Sequence, residues 1–297
     1  MNRAVTSMLL GCGLAWAVLA PCSAGAATPT PANADSPGWK LAQTSPTELM
    51  RQASRNELAD ALAHGRSLRY RLRKISTKSD TTKEVVETRN GAVARLIAVG
   101  GRPLSAAQQR QEMERLRNLA ADPAIEAHRR RGETRDSDRV EKFLRLMPNA
   151  FLYRAVGSVE TPQGTMVRLT FTPNPKFSPP DFESRILTGI RGEVWIDPEQ
   201  MRIAKIQGRI FTSVGFGWGI LGKLYPGGTM LLEQTKTSEC GWQMTRLQLH
   251  LDGKALLFKS IHIALEETAA DYKPVPREWG YREAVQWLLD KFVERET

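Results

Sequence analysis

Gly192-Glu193-Val194-Trp195-Ile196-Asp197-Pro198, followed two residues later by Met201-Arg202-Ile203-Ala204-Lys205-Ile206, is the stretch that decides the fold. Alternating apolar side chains on both sides of an aspartate-proline turn read as two neighbouring strands. The same alternation extends outward: Val167, Leu169 and Phe171 interleave with Arg168, Thr170 and Thr172, and Leu247, Leu249 and Leu251 repeat it. Leu257, Ile261, Ile263 and Leu265 close the series, with Asp252-Gly253 predicted as the hairpin that joins the last two runs. Short strands and tight turns from Phe151 to Glu267 imply an antiparallel sheet.

Upstream, Ser45-Pro46-Thr47-Glu48 opens a helix whose stripe is Leu49, Ala53, Leu58, Ala61 and Leu62, and Gly65 ends it. In Leu68-Arg69-Tyr70-Arg71-Leu72-Arg73 the three arginines share one face, predicted to be the solvated one. Asn90-Gly91 separates strand-like runs at Lys83 to Arg89 and Ala92 to Val99. Residues 103–148 form a helical insert. Ser105 and Gln108 make a capping box, and Met113, Leu116 and Leu119 recur at helical spacing. After the basic run Arg129-Arg130-Arg131-Gly132, Val140, Phe143, Leu144 and Met147 repeat until Pro148, which is predicted to stop that second helix. Tyr281 to Arg295 places Ala284, Trp287, Leu288 and Phe292 on one helical face.

With 41% hydrophobic residues and 3 Cys in 297 residues, the chain is neither disordered nor a disulfide scaffold. Arg3, the apolar run Met8 to Leu19, and the small residues Ala24 to Ala27 read as a secretory signal cleaved near Ala26/Ala27. Cleavage leaves about 270 residues, enough for one large or two modest domains. Leu19-Ala20-Pro21-Cys22 allows a lipid-anchored alternative, opposed by Pro21 at a position that needs a small side chain. Residues 28–44, rich in Ala, Thr, Pro and Asn, read as a flexible leader. Cys12 and Cys22 leave with the signal, so Cys240 has no disulfide partner.

No catalytic constellation emerges. Gly217-Trp218-Gly219-Ile220-Leu221-Gly222-Lys223 has the spacing of a phosphate loop, but Leu224 stands where a hydroxyl should reach magnesium, and Pro226 opposes a following helix. Read as a strand, the segment puts Val214, Phe216, Trp218 and Ile220 on one face, either filling a core or lining a hydrophobic cavity. His64, His128, His250 and His262 show no metal spacing, although His250 and His262 would face each other across the Asp252-Gly253 hairpin. Cys240 in Ser238-Glu239-Cys240-Gly241 reads as a turn residue. The net charge of +10 points to an anionic surface, with Arg69, Arg71 and Arg73 as candidate contacts; export argues against nucleic acid.

The signal, the early helix, the three strands and the helical insert precede the long antiparallel run. Together with residues 192–210, this order resembles the outer-membrane lipoprotein-sorting protein superfamily, the LolA and LolB-like fold. The resemblance implies an α+β fold over residues 45–275: a strongly curved antiparallel sheet, or half-open β-barrel, with helices covering its concave face and a C-terminal helix in residues 276–297. It also implies an apolar cavity for acyl chains. The chain lacks the early R-P-x-x-F-x-W strand of the carriers, so no ligand-contacting arginine transfers. The expected function is a periplasmic, non-enzymatic lipid or lipoprotein carrier without cofactor or metal. Phe216, Trp218, Ile220 and Leu221 are expected to contact cargo, and Phe143 and Leu144 to serve the lid. The alternative is an envelope interaction module that binds a protein partner or an anionic surface.

Overall fold

The computed structural model describes residues 36–62, 67–216, 222–255 and 259–293. Helices α1 (Pro37–Thr44) and α2 (Pro46–Leu62) precede strands β1 (Leu68–Ser76), β2 (Asp80–Thr88), β3 (Gly91–Val99) and β4 (Arg102–Pro103). Helices α3 (Ala106–Ala121) and α4 (Pro123–Ala150) follow, then β5 (Phe151–Thr161), β6 (Gly164–Pro173) and a 3-10 helix (Ser184–Gly189). The chain continues through β7 (Ile190–Asp197), β8 (Arg202–Ile210), β9 (Val214–Phe216), β10 (Gly222–Leu224), β11 (Thr229–Thr237), β12 (Gly241–Ala255), β13 (Lys259–Pro274) and α5 (Tyr281–Val293).

The strands join in one sheet, ordered β4-β3-β2-β1-β13-β12-β11-β8-β7-β6-β5, with β10 paired to β12 and β9 to β10. The order ends at β4 and β5 without closing. This is an α+β fold, a large open antiparallel sheet with helices, in agreement with the fold class read from the sequence. Its contacts group the chain into two compact units.

The first unit comprises Met1–Ser54, Met147–Leu232 and Gln248–Leu265. Its core is written by alternation: Leu169 pairs with Val194, and Val194 with Ile206, so one face of β6, β7 and β8 is buried almost entirely. Each such side chain contributes about 1.5–3 kcal/mol on leaving water. Phe151 and Phe171 pack beside it with tilted rings whose centroids are 4.7 Å apart. Residues 37–44, expected within a flexible leader, instead form α1, because Ser36 caps the Trp39 amide and Pro37 occupies the first turn. Gly38 then donates its N–H to Pro198 O at 2.9 Å. A Cβ at Gly38 would stand 2.5 Å from that oxygen, so only glycine allows this approach.

The second unit comprises Arg55–Leu146, Glu233–Leu247 and Glu266–Thr297. Here α3 and α5 cover β2 and β3 through Val86, Val93, Leu116, Leu119, Val285 and Leu288. The Ser105/Gln108 capping box starts α3 as expected. The two predicted hairpin signals part company. Asn90-Gly91 does turn the chain, with Gly91 at φ 92° and directly opposite Thr88. Asp252-Gly253 of the first unit does not: both residues lie inside β12. Gly253 is there for closeness, since a Cβ would sit 2.3 Å from Lys223 O on β10.

One further expectation is corrected. Pro148 lies inside α4, within its last turn, and the helix runs unbroken through the basic segment 129–132. The lost hydrogen bond is confined to the helix end, where Tyr153 donates its hydroxyl to Met147 O at 2.9 Å. On β1 the arginine face is only partly covered: Arg69, in register with Val86 of the core under α3 and α5, is half-buried, whereas Arg71 and Arg73 are exposed. Phe216 pairs with Gly222 across β9 and β10, and residues 217–221, the rest of the predicted strand, lie outside the described residues. The signal segment, Gly65 and Leu257 lie outside the described residues.

Candidate functional site

The register of the first unit fixes two faces of the β6–β7–β8 sheet. Val194, Ile206 and their row neighbours are buried, whereas Arg168, Thr170 and Thr172 share the opposite face with Arg191, Glu193, Trp195, Lys205, Gln207 and Arg209. Between these positions, in the row of Val194 and Ile206, Gly192 stands directly opposite Gly208. A Cβ on Gly192 would come within 2.0 Å of Gln207 O, so the strands approach there as only glycine permits.

An open groove of about 600 Å³ crosses β6, β7, β8 and β11 at this point and reaches Gln248 of β12. Its walls carry Thr170, Glu193, Gln207, Arg191, Arg209 and Leu231, with the backbone of Gly192 and Gly208 as floor. Ile190, Val194, Ile206 and Ile210 do not border it, whereas Phe171 and Met230 do. Gln207 donates its Nε2–H to Glu193 Oε2 at 3.4 Å. The Arg191 guanidinium lies over the Phe211 ring, 5.0 Å from its centroid.

The residues named from the sequence fall elsewhere. Phe143 and Leu144 are half-buried on α4 and do not border the groove; Lys142 Nζ sits 5.8 Å from the Phe143 ring centroid. Trp218, Ile220 and Leu221 lie outside the described residues, as does the Phe216 side chain. Arg69, Arg71 and Arg73 each have an acidic neighbour: Glu84 at 3.8 Å, Asp271 at 3.2 Å and Asp80 at 2.9 Å. Arg69 also lies over Trp287, 5.1 Å from the ring centroid. Those charges are already partnered within the protein.

Catalytic candidates gain nothing from the geometry. His262 meets Asp252, not His250, at 2.6 Å between exposed side chains, because Asp252 lies within β12 where a hairpin was expected. Cys240 sits in the turn before β12 as predicted, and burial, with Glu239 nearby, pushes its thiol above the ordinary cysteine range. Burial and the neighbouring Glu87 likewise push the Tyr70 hydroxyl up. Among the described residues no three His, Cys, Asp or Glu side chains are placed to hold a metal. No helix among the described residues is long and apolar enough to cross a membrane.

Sequence reasoning missed the groove arginines. The available signal was the run from 191 to 209, in which Arg191, Lys205 and Arg209 all fall on the face opposite the apolar residues.

Three solved structures are similar to this chain. One is an outer membrane lipoprotein-sorting protein domain from Vibrio parahaemolyticus, 10% identical, with a TM-score of 0.33 over 80% of this chain and 97% of that one. Another is a DUF1329 family protein from Desulfovibrio piger, 10% identical, with a TM-score of 0.26 over 77% and 93%. The third is a LolA superfamily protein from Nitrosomonas europaea, 9% identical, with a TM-score of 0.27 over 79% and 94%. No protein-family model and no curated protein matches the chain.

Proposed function

We propose that the protein is an exported, non-enzymatic binding protein of the cell envelope that holds an acyl chain of a lipid or lipoprotein. The observation that carries this reading is the groove. Its volume of about 600 Å³ suits a small amphiphile, and its lining joins Phe171, Met230 and Leu231 to the charged side chains Arg191, Glu193 and Arg209. Leu231 and the methylene stems of Gln207 and Arg209 supply apolar wall, each buried CH₂ of a ligand being worth about 0.8 kcal/mol. Phe216, Trp218, Ile220 and Leu221, from the segment that follows β8 after a short connection, are proposed as further acyl contacts. The signal segment, cleaved near Ala26/Ala27, is the proposed route to the periplasm.

Native mass spectrometry of protein extracted gently from the envelope tests the reading: co-purifying lipid is expected. Gln207→Trp, which fills the groove, should remove that lipid while leaving the melting temperature within a few degrees. Lipid-free protein that instead retains a protein partner would overturn the carrier reading in favour of an interaction module. So would a Gln207→Trp variant that holds lipid as the parent does.

A further inference from the structure

Arg191 and Arg209 are direct cross-strand partners that both line the groove, and both residues are exposed. Like charges directly opposite each other destabilise a sheet, and neighbouring carboxylates usually compensate them. Elsewhere in the protein that compensation is present: Arg71 has Asp271, Arg73 has Asp80 and Arg95 has Glu84. Among the described residues Arg191 and Arg209 have no carboxylate partner. The acidic side chain on their face, Glu193, accepts from Gln207. The same face continues into Arg168 and Trp195, which also pair across the strands. Arg168 Nε and Trp195 Nε1 are buried donors without an acceptor. This face therefore presents more positive charge and more donors than the protein satisfies.

We infer that Arg191 and Arg209 together hold an oxoanion of phosphate type, the headgroup of the amphiphile whose chain lies in the groove. The inference rests on the proposed function and deepens it by naming the class of headgroup. Directly opposed side chains on antiparallel strands start about 5 Å apart at Cβ, so two guanidinium forks can bracket one tetrahedral anion. Each fork donates paired N–H groups that a lysine could not supply. The Phe211 ring holds the plane of the Arg191 guanidinium, and the Thr229 hydroxyl at the groove wall adds a further donor. Binding the anion also relieves the repulsion between the two arginines.

Titration calorimetry on the mature chain with three probes tests this: dodecyl phosphate, dodecyl maltoside with the same chain but no charge, and inorganic phosphate. Dodecyl phosphate is expected to bind about tenfold or more tightly than dodecyl maltoside, the gain of a charge-assisted contact. Arg191→Gln/Arg209→Gln should abolish that preference without weakening dodecyl maltoside binding, whereas Arg71→Gln should leave it intact. Equal affinity for the two detergents, unchanged in the double variant, overturns the anion site while leaving the acyl reading standing. Inorganic phosphate binding as tightly as dodecyl phosphate, with no binding of dodecyl maltoside, keeps the anion site as a free-phosphate site and overturns the acyl reading. Absence of binding by all three overturns both.

Discussion

Glu84 of β2 serves two guanidinium groups at once. Arg95, opposite it on β3 and only 2% exposed, lies at 2.5 Å, and Arg69 of β1 lies at 3.8 Å. A guanidinium this deep depends on its carboxylate, so Glu84→Gln should cost about 3–5 kcal/mol in chemical denaturation, the range for breaking a buried pair. Asp80 shows the exposed version. The hydrogen bond from Arg73 holds its carboxyl below the ordinary carboxylate range, so the pair stabilises the fold above the unfolded value, and this stabilisation is lost as pH falls through the depressed one. Asp80→Asn is therefore expected to lower the melting temperature at neutral pH, with the gap to the parent closing on acidification; a constant gap would refute the assignment. The strand carrying Arg69, Arg71 and Arg73 was legible from alternation, but alternation says which residues share a face, not which face is covered. Where α3 and α5 dock is a tertiary fact, and Arg69 is half-buried while Arg71 and Arg73 stay exposed.

At the scale of elements, the turns follow a repeated chemistry. Thr88 donates its hydroxyl to Gly91 O and accepts from the Asn90 amide, and Thr161 does the same with Gly164 O and the Gln163 amide. In both, the glycine after the two turn residues has positive φ, 92° and 112°, the geometry of a type I turn with a bulge. Asn90-Gly91 was readable because its glycine performs that task. Asp252-Gly253 misled because the same dipeptide can mark a close backbone approach, and one sequence window does not distinguish the two. The outer margin of β3 is sealed by side chains: Glu112 accepts from the Leu96 amide, Arg115 donates to Ala94 O, and Arg129 donates to Ala92 O and Asn90 O. Arg129 had read as part of a basic run. Arg129→Ala should speed hydrogen exchange along β3 and promote aggregation on mild heating, with little change in the β6–β7 amides. For α1, Gly38→Ala places a methyl against Pro198 and should cost about 1–3 kcal/mol, read as faster exchange at the Lys40 and Ser45 amides.

For the whole molecule, the net charge of +10 is unevenly committed. Arg69, Arg71, Arg73 and Arg129 of the second unit are tied to carboxylates or to the β3 carbonyls, whereas Arg191 and Arg209 of the first are left to the solvent and the groove. Binding to anionic vesicles should accordingly fall with salt in the parent and in Arg71→Gln, and the salt dependence should flatten in Arg191→Gln/Arg209→Gln. The antiparallel class, the capping box of α3 and the last helix could be read in advance, since each rests on local periodicity. The groove could not, because it requires knowing that Gly192 and Gly208 meet across strands. The finished margin of β3, with the short proline-bearing β4 beyond it, has one more consequence. Head-to-tail stacking of copies, β3 of one against β5 of the next, would have no natural end and would grow into fibres. Blocking one of the two required surfaces closes that route to endless growth.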